Sequence, residues 1–409
     1  MKSRRKPAAL TGNTMLNQKP LFQLEFLAFC LCAVLQTPAA SLYYNTSSAT
    51  QTRNTLDSVS TNGSGNSLLF TATGPGSNNV SRCTALAVDG LNGKLFLLDG
   101  GSNALWSVNL AGGALTLVKG GLTNFPTDLA LDVLNEQIYY TTSSTLQSSN
   151  TVQRVDYTGN NHTTLFTATG VDGNKVSRCT ALAVDIASGK MFLADAGART
   201  IWSMSLTGTG VTALARATAS TPTDVAVDVG KQQVYFTFSS PVQSSNFLQR
   251  VNYDGSGLTN LFTASGGVLR CTALDVNVAE ASIYLSDAGT NALWRIPLGG
   301  GSATGILNGL NATPKRVRWY NGPETRPPPG IIGIALSGPE PGTKLVLNAT
   351  NGYAGGTYYL LTSTNVLAPV SQWELVSTNV LGTSGDFTIT STNAVFANAA
   401  QQFYILKVH

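Results

Sequence analysis

The sequence predicts an all-β chain: a six-bladed β-propeller closed by strands from both of its ends, followed by a small β-sandwich-like domain. Three observations predict it. A unit of 96 residues recurs, with Leu-Phe-Thr-Ala placing its Phe at Phe70, Phe166 and Phe262, and Arg-Cys-Thr-Ala-Leu opening at Arg82, Arg178 and Arg270, spaced 96 and then 92. Repetition on this scale dictates an architecture before any single residue is interpreted. Each unit splits into two halves of four short β-rich runs bounded by Gly, Asn, Asp or Ser, an antiparallel meander and hence a blade. The last blade is split: Leu42-Tyr43-Tyr44 aligns with Ile138-Tyr139-Tyr140, so the first blade of the chain begins at its second strand.

The elements follow in order. The first 40 residues read as a secretory signal: basic residues (Lys2, Arg4, Arg5, Lys6, Lys19) precede an apolar run over Phe26–Leu35 and the small residues Ala39 and Ala40. About ten apolar residues are too few to span a bilayer. Cys30 and Cys32 follow Phe29 and Leu31 rather than the small residue of a lipoprotein signal, so soluble export (periplasmic, cell-surface or secreted) is expected. The propeller is expected over 41–322. Complete blades start at Cys83, Pro126, Cys179, Pro222 and Cys271. The missing first strand of the sixth is Pro314–Tyr320, in register with Pro126 and Pro222, and closure by strands from both ends removes free sheet edges. A breaker-rich spacer over 323–330 then leads to a β-sandwich-like module over 331–409, with strands expected at Lys344–Asn348, Thr357–Thr362, Gln372–Val376, Asp386–Thr390 and Gln402–Val408.

Composition narrows the function classes. Of 409 residues 43% are hydrophobic and only 11% charged, a profile of exported β proteins rather than of disorder. The net charge of +4 comes partly from the leader, and no basic stripe is present, which argues against a nucleic-acid partner. Nothing calls for association, so a monomer is expected, with no stable membrane span once the signal is removed.

The second strands carry Phe96-Leu-Leu-Asp99, Phe192-Leu-Ala-Asp195 and Tyr284-Leu-Ser-Asp287, whereas the alternate blades read Tyr140-Thr-Thr, Phe236-Thr-Phe and Tyr44-Asn-Thr and lack the Asp. With the apolar-Ala-apolar-Asp first strands, this pattern resembles the YWTD (low-density lipoprotein receptor class B) repeats over Leu42 to Tyr320. The resemblance implies that the aromatic packs between blades and the Asp ties neighbouring backbone; it implies a fold, not a receptor function or a ligand. The tail, through Tyr359-Leu-Leu-Thr-Ser-Thr-Asn365, Trp373 and Gln402-Phe-Tyr-Ile-Leu406, resembles a C-terminal module of large exported bacterial proteins.

Function is expected on the face where the inter-blade links (Gly74–Val80, Gly170–Val176) and the loops Ser143–Asn150 and Ser239–Asn246 collect. That rim carries Arg82, Arg178 and Arg270 before the inner strands of odd blades, Asp128 and Asp224 inside those of even blades, and Arg316 where the sixth blade replaces the Asp. Two readings stand: an inter-blade Arg–Asp network, or an anion- or sugar-recognising pocket biased by Arg316. Cys83, Cys179 and Cys271 read as buried thiols at strand starts. Only two histidines exist, His162 and His409, neither with a nucleophile partner, so no catalytic residue, metal ligand or cofactor is assigned. The expectation is a non-enzymatic binding scaffold for a protein or glycan. The alternatives are a lactonase- or lyase-type enzyme using a channel metal, and a structural surface protein without a specific ligand.

Overall fold

A computed structural model of the chain describes residues 40–74, 79–133, 135–170, 176–320, 330–337, 344–352, 357–368, 372–381, 385–392 and 401–408. The expected signal up to residue 39, the spacer over 323–329 and the middles of the links at 75–78 and 171–175 lie outside them. Two compact units are present, one within 36–328 and one within 329–409.

Among its described residues the first unit holds six four-stranded antiparallel sheets, the repeated blades of a β-propeller. Blade 1 comprises Cys83–Asp89, Lys94–Asp99, Ala104–Asn109 and Thr116–Lys119. Blade 2 comprises Phe125–Asp132, Gln137–Ser143, Thr151–Asp156 and Thr163–Thr167. Blades 3 and 4 repeat them, opening with Cys179–Asp185 and Thr221–Asp228, and blade 5 opens with Cys271–Asn277. In blade 6 the first strand is Thr313–Tyr320 and the other three are Ser41–Ser47, Thr55–Ser60 and Ser67–Thr71. The two chain ends are zipped from Ser41↔Tyr320 to Ser47↔Thr313. The six first strands neighbour one another in a closed cycle, so they line the central channel, while the fourth strands face outward and carry exposed residues.

Each blade is too thin to bury its own faces, and the cores lie between blades. Six apolar clusters occupy the six junctions, from Ala85, Phe96 and Leu98 against Leu129, Ile138 and Tyr140 between blades 1 and 2, to Leu42 and Tyr44 against Tyr284 and Leu293 between blades 5 and 6. The second-strand aromatics sit in these junctions: Phe96 packs 4.4 Å from Tyr157 of the next blade, and Phe192 4.4 Å from Tyr253. Removing such a ring costs about 3–5 kcal/mol.

The second-strand Asp has a local task. Asp99 accepts hydrogen bonds from the backbone N–H groups of Ser81 and Arg82, both 2.7 Å, and of Gly101, 2.8 Å, so it ties the incoming link to its own blade; Asp195 and Asp287 repeat this. The three cysteines are free and buried. Among the described residues no helix is long and apolar enough to cross a membrane.

The second unit pairs two three-stranded sheets. One holds Gly330–Ser337, Lys344–Gly352 and Gly385–Thr392; the other holds Glu374–Val380, Thr357–Ser363 and Phe403–Val408. Leu345, Leu347, Tyr358, Leu360 and Ile389 form the core between them. The strand Gly330–Ser337 extends back into the segment read as spacer.

Candidate functional site at the channel mouth

Every first strand carries a β-bulge near its start, and the bulged residue is the same in five blades: Thr84, Thr127, Thr180, Thr223 and Thr272. A bulge re-aims its side chain out of the ladder, and here each hydroxyl turns to the next blade. Thr84 donates to the carbonyl of Pro126 (3.1 Å), Thr127 to Cys179 (3.3 Å), Thr180 to Pro222 (3.3 Å), Thr223 to Cys271 (3.5 Å) and Thr272 to Pro314 (3.4 Å). In blade 6 the bulged residue is Lys315, which cannot take this part in the same way. Asn45, on the neighbouring strand, substitutes: its Nδ2 donates to the Cys83 carbonyl at 2.8 Å. The belt closes around the mouth, and Lys315 is relieved of it.

Below the belt lies a buried charge cluster. Asp128 and Asp224 are fully buried. Arg316 Nε donates to Asp128 Oδ1 at 3.0 Å and lies 4.0 Å from Asp224 Oδ1. Arg318 donates to Asp224 Oδ2 at 3.2 Å and to Asp128 Oδ1 at 3.5 Å. Each aspartate also caps backbone: Asp128 Oδ2 accepts the Leu182 N–H at 3.1 Å, and Asp224 Oδ2, which also takes Arg318, accepts the Leu274 N–H at 3.0 Å. The remaining guanidinium hydrogens of Arg316 reach the carbonyls of Thr127, Thr180 and Lys315. Asp275 completes the cluster by accepting the Trp319 N–H at 2.6 Å.

Burial pushes the Asp128 carboxyl above the ordinary range; Arg316 pulls it back and Asp224 pushes it up again. Enclosure in the channel raises Asp275 to about 6, against the pull of Arg318. Burial opposes the Arg318 charge, but Asp224, Asp128 and Asp275 together hold that group above the usual arginine range.

Above the belt the mouth opens into a cavity of about 460 Å³ to which every blade contributes, including Ser47, Arg82, Thr84, Phe125, Arg178, Pro222, Lys315 and Arg316. Arg82 stacks over the exposed Phe125 ring, its Cζ 5.2 Å from the centroid. Arg82, Arg178 and Arg270 are exposed. Among the described residues no carboxylate comes within 4.0 Å of Arg82, Arg178, Arg270 or Lys315; all four close ion contacts belong to Arg316 and Arg318. Burial, and then Arg316, Arg270 and Arg82, hold Lys315 below the ordinary lysine range.

The predicted rim therefore separates into two layers. Arg82, Arg178 and Arg270 belong to the mouth, while Asp128, Asp224 and Arg316 converge beneath it. Of the rim arginines Arg316 pairs with Asp128, whereas none of Arg82, Arg178 and Arg270 comes within 4.0 Å of either aspartate. Arg82 precedes its strand, whereas Asp128 lies three positions further down the equivalent strand, about 10 Å at the rise of a β-strand. The partners of the aspartates come instead from the closing strand. Sequence reasoning passed over Lys315, Arg318 and Asp275. All three are departures from the repeat: Lys315 stands where the other blades have Thr127 and Thr223, Arg318 where they have Ala130 and Ala226, and Asp275 where they have Ala87 and Ala183.

No family model and no curated protein matches the sequence. Among solved structures, a chain in the crystal structure of the nidogen/laminin complex superposes with a TM-score of 0.56 over 68% of this chain and 97% of its own length, at 14% identity. TolB from Acinetobacter baumannii matches with a TM-score of 0.53 over 69% of this chain and 66% of its own, at 11% identity. At these identities the likeness is one of fold, and the fold is a β-propeller.

Proposed function

We propose that this chain is an exported, non-enzymatic scaffold that binds a partner protein through the mouth of its propeller. The observation that carries the reading is an open cavity lined by Arg82, Arg178 and Lys315, with Arg270 acting on Lys315, and no carboxylate within 4.0 Å of any of the four among the described residues. Charges left without internal partners on one face steer and orient an incoming surface of opposite sign. The groups that could do chemistry are committed elsewhere: Asp128 and Asp224 are held by two arginines, and the three thiols are buried. The nidogen propeller, similar in fold, was crystallised in complex with laminin, which supports a protein rather than a small molecule as the ligand here. The second-strand Asp braces and the interblade aromatics support kinship with YWTD-type blades.

The test is selection of a displayed random-peptide library on the immobilised chain, with the triple variant Arg82→Gln, Arg178→Gln, Arg270→Gln as counter-target. Enriched peptides that lose binding to the variant are the expected result. Peptides that hold both proteins equally, or rim-dependent binding seen only on a glycan array, would overturn the reading.

A further inference from the structure

The mouth has one position at which the repeat was broken and then repaired around the break. In five blades the bulged residue is a threonine spending its hydrogen on the inter-blade belt. In the sixth it is Lys315, and the belt bond passes to Asn45. A lysine at that bulge is not needed to close the ring. It is also electrostatically ill-placed for stability, since Arg316, Arg270 and Arg82 all act on it and no carboxylate lies within 4.0 Å among the described residues. A cation set among cations, facing a cavity of about 460 Å³, is a seat for a negative group supplied from outside.

The chemistry of the wall selects the ligand further. The threonine hydroxyls of the belt sit within hydrogen-bond reach of backbone carbonyls, so the strongest donors left for a ligand are charged nitrogens. Arg82 covers one face of Phe125, the aromatic ring of the cavity wall, which leaves little stacking surface for a neutral sugar. Guanidinium forks on two sides suit the two oxygens of a carboxylate. We infer that Lys315, which lines the mouth cavity together with Arg82 and Arg178, is the anchor for an acidic peptide segment, whose Asp or Glu carboxylates enter that cavity. This names the chemistry of the partner and rests on the protein-binding reading above.

Calorimetric titration of the full chain tests it with three probes: a Glu/Asp-rich peptide, its Lys/Arg-rich counterpart, and heparin as a sulfated glycan. Lys315→Met keeps the aliphatic stem and removes the charge; Lys231→Met makes the same charge change in an exposed turn at the other end of the channel-lining strand. The acidic peptide is expected to bind, to weaken with added salt, and to lose at least roughly tenfold in affinity in Lys315→Met but not in Lys231→Met. The basic peptide is expected not to bind. Equal affinity of the acidic peptide for both variants, or no binding of it at all, overturns the inference. Heparin alone responding to Lys315→Met would overturn it in favour of a sulfated glycan. The library selection separates the two claims, since rim-dependent but non-acidic peptides would leave the scaffold reading standing and remove this one.

Discussion

Arg316 Nε and Asp128 Oδ1 meet at 3.0 Å across the channel although 188 positions separate them in sequence. Arg316 belongs to the strand that closes the ring and Asp128 to blade 2, so the bond spans the channel rather than a blade junction. Among the described residues, Arg316 and Arg318 of this last strand are the cations within 4.0 Å of the two buried aspartates.

Arg316→Met is therefore expected to cost about 3–5 kcal/mol, because it removes the nearer cation of a buried carboxylate. Replacing both partners, Arg316→Met with Asp128→Leu, is expected to cost clearly less than the sum of the single changes. Urea unfolding of the four proteins measures this. Strict additivity would show that the pair is not coupled.

Asp275 has its carboxyl raised to about 6, above its value of roughly 3.9 in an unfolded chain. A raised carboxyl stabilises the fold fully below the unfolded value and loses that contribution as pH climbs through the folded one. The group thus makes the propeller less stable between about pH 4 and pH 6, by on the order of 3 kcal/mol. Asp275→Asn is expected to remove that part of the slope. Parallel unfolding curves of wild type and variant across the window would contradict it.

Burial drives the thiols of Cys83 and Cys271 up to about 12, and Cys179 shifts the same way. A thiol reagent is expected to leave all three unmodified in the folded protein at pH 8 and to modify them on unfolding. Rapid reaction in native buffer would show that the strand starts open.

A chain ending at residue 312 lacks the closing strand. It exposes the edge of Ser41–Ser47 and leaves Asp128 and Asp224 buried without cations. Loss of a cooperative thermal transition and growth of oligomers in size-exclusion chromatography are expected. A monomer melting like the parent would refute the closure argument.

The blades were legible because the repeat shows both their length and the place where one is interrupted; the register Ser41↔Tyr320 follows from aligning Pro314 with Pro126 and Pro222. The site was legible in part. Asp128, Asp224 and Arg316 occupy one repeat position and do converge. The sequence leaves open whether Arg82 pairs with the aspartates or stands apart from them, because spacing along the chain says nothing of depth down a channel. Lys315, Arg318 and Asp275 depart from the repeat as Arg316 does, but they replace Thr and Ala rather than a charged residue, so no repeating charge marks their positions. The belt was invisible for a different reason, since a β-bulge leaves no mark in composition and a threonine at a strand start looks like any other.

The replacement of the sixth belt threonine by Lys315, with Asn45 taking over its bond, has a further consequence. Three identical two-blade units would present a mouth that looks the same after each third of a turn. A partner docking along the channel axis could then settle in three orientations of equal energy, and anything tethered to it would point three ways. Blade 6 marks the ring at one azimuth, so a partner reading that mark is held not only at the mouth but at one angle about it.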